Sequence, residues 1–192
     1  MTRAPLTPAT VVAEAADLAD ADGFDTVTLS AVARRLGVRT PSLYSHVRDR
    51  EALLDGVTEL ALGELAARVG AAVAGRAGRD ALEAFAAAHR TYAREAPGRW
   101  LALQRRAGDA VVRSDAAREV VALTGAVLRG YPIPADEHVH VIRLLGSTIN
   151  GYLALERSGN FDHSAPPPEE SWPRIVDALD ALLRAWPARN GG

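Results

Sequence analysis

The sequence predicts an all-helical fold, with a small N-terminal three-helix unit followed by a larger helical bundle. Three observations carry this expectation. Apolar residues recur three and four positions apart along every long segment, no stretch alternates apolar and polar residues as a strand would, and the segments are separated by cap-type residues, glycines and prolines.

Thr7-Pro8 opens the first helix, with threonine placed to cap and proline in the first turn. Val11, Ala15, Leu18 and Ala19 then hold helical spacing until Gly23. Phe24 follows as an apolar plug. Thr28 is placed to cap a short second helix whose Val32 and Leu36 face inward, with Arg34 and Arg35 off that stripe and Gly37 at its end. Two residues later Thr40-Pro41 repeats the cap-and-proline start. In the helix expected there, Leu43 and Val47 form the inward pair and Ser42, Tyr44, Ser45 and His46 lie on other faces. Asp49 is placed to cap a long fourth helix, with Leu54, Val57, Ala61 and Leu65 inward, running to about Ala74.

The body continues in the same register. A break at residues 75 to 80 precedes a helix over about 81 to 95; Pro97-Gly98 then introduces a short amphipathic piece containing Trp100, Leu101 and Leu103. Helices follow over about 115 to 129 and 135 to 158, the second apolar around most of its circumference, so that it has two surfaces to cover. Residues 158 to 170 read as a loop. The last helix, from about 171, places Trp172, Ile175, Val176, Leu179, Leu182, Leu183 and Trp186 at steps of three and four.

Composition bounds the function. The 192 residues are 48% hydrophobic and 24% charged, as in ordinary globular proteins, and the absence of cysteine removes disulfides and thiolate metal sites. No run of apolar residues suffices for a membrane span and the N-terminus does not read as a signal peptide, so a cytoplasmic location is expected. The formal net charge is only -2, yet residues 28 to 50 set Arg34, Arg35, Arg39, Arg48 and Arg50 against Asp49 alone. That local excess points to an anionic partner.

Two short helices joined by a glycine-led turn make a helix-turn-helix, whose second helix projects far enough to enter a major groove. In the stretch GVRTPSLYSHVRDREALL, Arg39 suits guanine, Thr40 and Ser42 suit mixed contacts, and the methyl or methylene groups of Thr40 or Pro41 suit thymine. Tyr44, Ser45, His46 and Arg50 suit phosphate oxygens. Double-stranded operator DNA is therefore the expected partner.

The span from Leu6 to about Val57, above all TVTLSAVARRLGVRTPSLYSHVRDREALLDGV, resembles the DNA-binding domain of the TetR family of transcriptional regulators. The resemblance implies a DNA-binding head over residues 1-52 and a helical ligand-binding and dimerisation body over 53-192. It further implies a homodimer that releases its operator when a small-molecule effector binds. It puts Arg39, Thr40, Pro41, Ser42 and Tyr44 where the family reads DNA, and Thr28, His46 and Arg50 at phosphate positions. Ser30 is a further DNA-binding candidate; with Leu29 it stands where the family's namesake has threonine and arginine. AFAAAHRTYAREAPGRW and GSTINGYLALERSGNF resemble the regulatory domain of the branch named for a Trp-His-Gly signature, of which Gly151 survives clearly.

Phe85, His89, Tyr92, Trp100, Gln104, Asn150 and Tyr152 are polar or aromatic residues in otherwise apolar helices. Individually most such residues pack a core, but together they have the character of a pocket for an apolar or amphipathic effector. The helices over 135 to 158 and 171 to 186 are the expected dimer surface, as a four-helix bundle. No metal or other cofactor is expected. His138 and His140 lie on nearly opposite faces of a helix, and the run from Asp20 lacks the glutamate a calcium loop needs, with Leu29 in its place. No nucleophile or phosphate-loop arrangement supports an enzyme. The alternatives are a helical-bundle carrier or enzyme without DNA binding, and a regulator whose body only dimerises.

Overall fold

The computed structural model describes residues 5–187; the outer ends of the two sequence-assigned domains, residues 1–4 and 188–192, lie outside them. Among the described residues every regular element is helical. They divide into two compact units, one formed by Met1–Ala66 with Tyr92–Val120, the other by Ala67–Thr91 with Val121–Gly192.

The first unit begins with α1 (Pro8–Asp22), entered through a reciprocal cap. The Thr7 hydroxyl accepts from the Thr10 amide at 3.1 Å and the Thr10 hydroxyl accepts from the Thr7 amide at 2.8 Å. A 3₁₀ turn, Phe24–Thr26, leads to α2 (Leu29–Leu36). Thr28 caps it through the Ala31 amide at 3.1 Å, and Gly37 leaves it at φ +61, the left-handed geometry that only glycine adopts cheaply. The long α3 (Arg50–Val73) starts at Asp49, whose carboxylate accepts from the Ala52 amide at 2.8 Å. That amide, with Arg48 beside it, holds the Asp49 carboxyl below its usual range. The core of this unit is Val11, Leu18, Val27, Val32, Leu43, Leu53 and Val57, all but fully buried.

One expected element takes another form. The segment opened by Thr40-Pro41 is not an α-helix but a six-residue 3₁₀ helix, Thr40–Ser45. The Ser45 hydroxyl donates to the Ser42 carbonyl at 2.9 Å, and the His46 amide bonds the Leu43 carbonyl, three residues back rather than four. The inward pair survives the change: Leu43 is 0% and Val47 8% exposed.

The first unit also contains α5 (Pro97–Ala102), the four-residue α6 (Asp109–Val112), which the sequence reading did not separate, and the end of α4 (Gly78–Glu95). Carboxylates tie these pieces to the N-terminal helices. Arg105 donates to Asp55 at 2.5 Å and to Glu51 at 2.6 Å, and Asp55 accepts from the Gly108 amide at 3.2 Å. Arg99 does the same for α1 through Asp17 and Asp20, both at 2.5 Å. Gly98 lies so close to α1 that a side chain there would meet the Ala19 backbone.

In the second unit, α7 (Asp115–Leu128) ends in a turn where Gly130 lies against Gly78. A 3₁₀ turn, Ala135–Glu137, opens α8 (His138–Arg157), and α9 (Pro168–Arg184) follows. The last helix starts three residues earlier than expected: Pro168 at its first position needs no amide partner, and Glu169 and Glu170 suit the positive end. At its other end it stops at Arg184, and Trp186, which precedes Pro187 and is therefore disfavoured in helical geometry, falls beyond it. Val141, Leu145, Ile149 and Leu153 of α8 and Val176, Leu179 and Leu183 of α9 are buried. The opposite faces keep Val139 (53% exposed), Leu155 (46%) and Leu182 (43%) in the open.

Candidate nucleic-acid interface

Leu43 anchors the 3₁₀ segment, so the residues around it turn outward by geometry alone. Pro41, Ser42, Tyr44 and Ser45 are exposed, Tyr44 to 57%, while Thr40 and His46 are half-buried. Arg39, just ahead of the segment, is exposed and pairs with no carboxylate among the described residues. Exposed hydroxyls, an aromatic ring and an uncommitted guanidinium on so short a support have the donors, acceptors and apolar edges that base and phosphate contacts use.

The other arginines are partly committed. Arg35 pairs with Glu14, Arg48 Nε donates to Asp49 at 2.7 Å, and Arg50 Nε donates to the Val27 carbonyl at 2.8 Å. The Arg50 bond holds its stem, and one terminal nitrogen lies 4.0 Å from a Glu51 carboxylate oxygen. Thr28 serves the α2 cap and shares a hydroxyl contact with Ser30 at 3.2 Å, so both lie at the start of α2. The sequence reading left out Arg34, which is exposed on the last turn of α2 and pairs with no carboxylate among the described residues. Its place off the Val32–Leu36 stripe was the available signal.

The seven body candidates fall in different units: Tyr92, Trp100 and Gln104 in the first, Phe85, His89, Asn150 and Tyr152 in the second. In the first unit, Tyr92 donates to Glu64 at 2.9 Å, Trp100 is buried, and the Gln104 amide reaches the Trp100 carbonyl at 3.5 Å. In the second, the Tyr152 hydroxyl donates to the Pro168 carbonyl at 2.6 Å and its ring lies 5.1 Å from Trp172, over which Arg90 also sits. Asn150 donates to the Gly146 carbonyl at 2.9 Å. The second unit also has an open cleft of about 700 Å³ between the last turns of α3 and the middle of α4, lined by alanines together with Arg68, Arg76, Glu83 and Thr91; none of the seven lines it.

His89 is buried against Phe85, the rings 4.3 Å apart, with Nδ1 2.8 Å from the Phe85 carbonyl. A carbonyl only accepts, so Nδ1 carries the proton and Nε2 is the free nitrogen. Burial lowers the imidazole pKa, the carbonyl opposing it. The unfolded chain therefore binds the extra proton first, and stability is expected to fall as pH drops from about 7 to about 5, through the ordinary imidazole value of ~6.5. Melting temperature against pH checks this: His89→Gln should flatten that decline relative to the parent.

Among the described residues no helix is long and apolar enough to cross a membrane, and no cluster of histidine and acidic side chains is placed to hold a metal. Comparison with known proteins decides the family. The model for bacterial regulatory proteins of the tetR family matches residues 11–57, and the tetracyclin repressor-like C-terminal domain matches residues 82–179, half of the chain. The chain belongs to the TetR family. Its relatives include the uncharacterized HTH-type transcriptional regulator Rv0681 of Mycobacterium tuberculosis, 32% identical over 83% of this chain and 74% of that protein. A class A tetracycline repressor protein of Escherichia coli is 46% identical over 59 residues, 31% of this chain and 27% of that one. A TetR variant from Acinetobacter baumannii, solved in complex with minocycline, shares the fold at a TM-score of 0.70 and 23% identity, covering 96% of this chain and 100% of that one. TetR-family proteins are DNA-binding transcriptional regulators and not enzymes.

Proposed function

We propose that this TetR-family regulator is a ligand-responsive repressor that grips a near-palindromic operator as a homodimer and lets go when a small apolar or amphipathic molecule binds its body. The observation that carries the reading is the segment Thr40–Ser45: Leu43 is sealed beneath it while Tyr44 and its neighbouring hydroxyls stand in solvent. Arg39, Thr40, Pro41, Ser42 and Tyr44 then meet base edges and adjacent backbone. Thr28, Ser30, Ser45, His46 and Arg50 meet phosphates, joined by Arg34.

The head is residues 1-52 and the body 53-192. Dimerisation is assigned to α8 and α9, where Val139, Arg143, Ser147, Gly151 and Leu155 form one exposed stripe and Ala178, Ala181 and Leu182 another. Small residues between exposed aliphatic ones let two helices approach closely, and exposed aliphatic side chains gain most from being covered. Two heads on a two-fold axis meet half-sites about 34–36 Å apart. An effector that favours a body in which the heads are spaced differently weakens DNA binding by the same factor by which DNA weakens effector binding. The minocycline-bound relative is a precedent for the fold holding a small molecule; the effector of this chain is chosen by its own lining residues, with Phe85, His89, Tyr92, Trp100, Gln104, Asn150 and Tyr152 as candidates. The assignment to the Trp-His-Gly branch rests on the two sequence segments, and the working compartment is the cytoplasm, where the DNA lies.

Selection of bound fragments from the source's genomic DNA tests the reading. The expected result is a small set of fragments sharing an inverted repeat, bound with an affinity that falls steeply with salt as phosphate contacts release counterions. Fragments without a common repeat, or binding indifferent to salt, would favour a bundle that carries a ligand without reading DNA.

A further inference from the structure

We propose that Arg99 is a positioning residue for the DNA-reading head, holding α1 through two carboxylates and registering the position of α3 through a third, Glu64, which Tyr92 keeps at a distance. The proposal rests on the operator-binding reading above.

The anchoring half is built from four bonds. Asp20 of α1 accepts from the backbone amides of Gly98 and Arg99 at 2.7 and 2.9 Å, and its second oxygen accepts from Arg99 Nη1 at 2.5 Å. Asp17, one turn earlier, takes Arg99 Nη2 at 2.5 Å. Charge-assisted bonds of this kind are the strong ones, and they fix α5 to the first helix of the head.

The registering half is left open. Arg99 Nε is buried and has no hydrogen-bond partner. A buried charged donor without an acceptor is costly, so such an atom calls for an explanation. Its nearest carboxylate oxygen is Glu64 Oε2, 3.6 Å away, and that oxygen accepts from the Tyr92 hydroxyl at 2.9 Å. Burial and the adjacent Glu64 carboxylate push the Tyr92 hydroxyl upward in pKa, so it stays a donor. Closing the gap from 3.6 Å to about 2.9 Å would give Arg99 its third bond. Glu64 therefore has two settings, held back on Tyr92 or drawn on to Arg99. Because Glu64 sits on α3, the helix that follows the DNA-reading segment, each setting corresponds to a different placement of that helix against α1.

Two near-isosteric changes bias the settings in opposite senses. Tyr92→Phe removes the hydroxyl and releases Glu64 toward Arg99. Glu64→Gln keeps an acceptor for Tyr92 but removes the charge that draws residue 64 to the guanidinium. The test measures operator affinity of the full-length dimer on a fragment the parent protein binds, with the ¹H–¹⁵N signal of Arg99 Nε followed for solvent exchange. The expected result is a change of about fivefold or more in each variant, in opposite directions, with slower Nε exchange in Tyr92→Phe. Affinity within twofold of the parent in either variant, or losses of the same sign in both, would overturn the proposal while leaving the operator-binding reading intact. Failure of the parent itself to bind any DNA would overturn that reading instead.

Discussion

A chain carrying Arg39→Ala together with Tyr44→Ala is expected to lose roughly 2–4 kcal/mol of operator affinity, between about thirtyfold and a thousandfold, while melting close to the parent. The two halves of this expectation come from different facts. Arg39 carries no ion pair among the described residues and Tyr44 is 57% exposed, so neither substitution opens a cavity or strands a charge, and each should cost within about 0.5 kcal/mol of fold stability. A guanidinium seated bidentately on guanine contributes about 1–3 kcal/mol of discrimination, whereas a phenol on phosphate contributes uniformly to all sequences. The single variants should therefore separate: Arg39→Ala relaxes preference at one base pair, and Tyr44→Ala weakens every site alike. Anisotropy titration on matched and singly mismatched duplexes distinguishes them, with circular dichroism melting as the fold control.

The second large effect lies far from the DNA. Gly98→Ala is expected to destabilise the first unit by roughly 2–5 kcal/mol, adding the overpacking cost to the loss of the Asp20 bonds to the Gly98 and Arg99 amides. An added Cβ would stand 2.1 Å from the Ala19 carbonyl carbon, 2.2 Å from its oxygen and 2.5 Å from the Asp20 amide nitrogen. These are backbone atoms and cannot swing aside. The N-terminus of α5 must withdraw from α1, and the bonds of Asp20 to Gly98 and Arg99 stretch with it. Gly63→Ala is the matched control, because a Cβ there meets nothing within 4 Å in the middle of α3. It should be neutral or stabilise by up to about 1 kcal/mol, as glycine-to-alanine changes in helix interiors do. Urea unfolding of both variants measures the difference, and Gly98→Ala should lose operator affinity as well because α1 carries the head.

The parts of this molecule that were legible in the sequence are those governed by near neighbours. Thr7, Thr28 and Asp49 each cap through an amide three residues on, and Gly23 and Gly37 end their helices, so the interactions lie inside a window of a few residues. The burial of Leu43 and Val47 followed from spacing. The 3₁₀ form of the reading segment did not, because pairing three residues back or four residues back uses the same residue types at nearly the same spacing. Long-range chemistry was invisible for a plainer reason. Arg99 and Asp17 are 82 positions apart, and Arg105 and Asp55 are 50, with no periodicity to connect them. The same holds for Arg50, whose partner is a main-chain carbonyl that no residue type announces. The body candidates show the limit in another way. An aromatic residue at helical spacing reads identically whether it fills a core, as Trp100 does, or borders a space for a ligand.

Hydroxyl-radical footprinting of the full-length protein on a selected genomic fragment tests the central claim most directly. Two protected patches of equal strength, related by symmetry and one helical turn apart, are the result expected from paired segments Thr40–Ser45. The protection should vanish with Arg39→Ala and Tyr44→Ala combined. A duplex left uniformly reactive by the parent protein, or protection that survives both substitutions, would contradict the account.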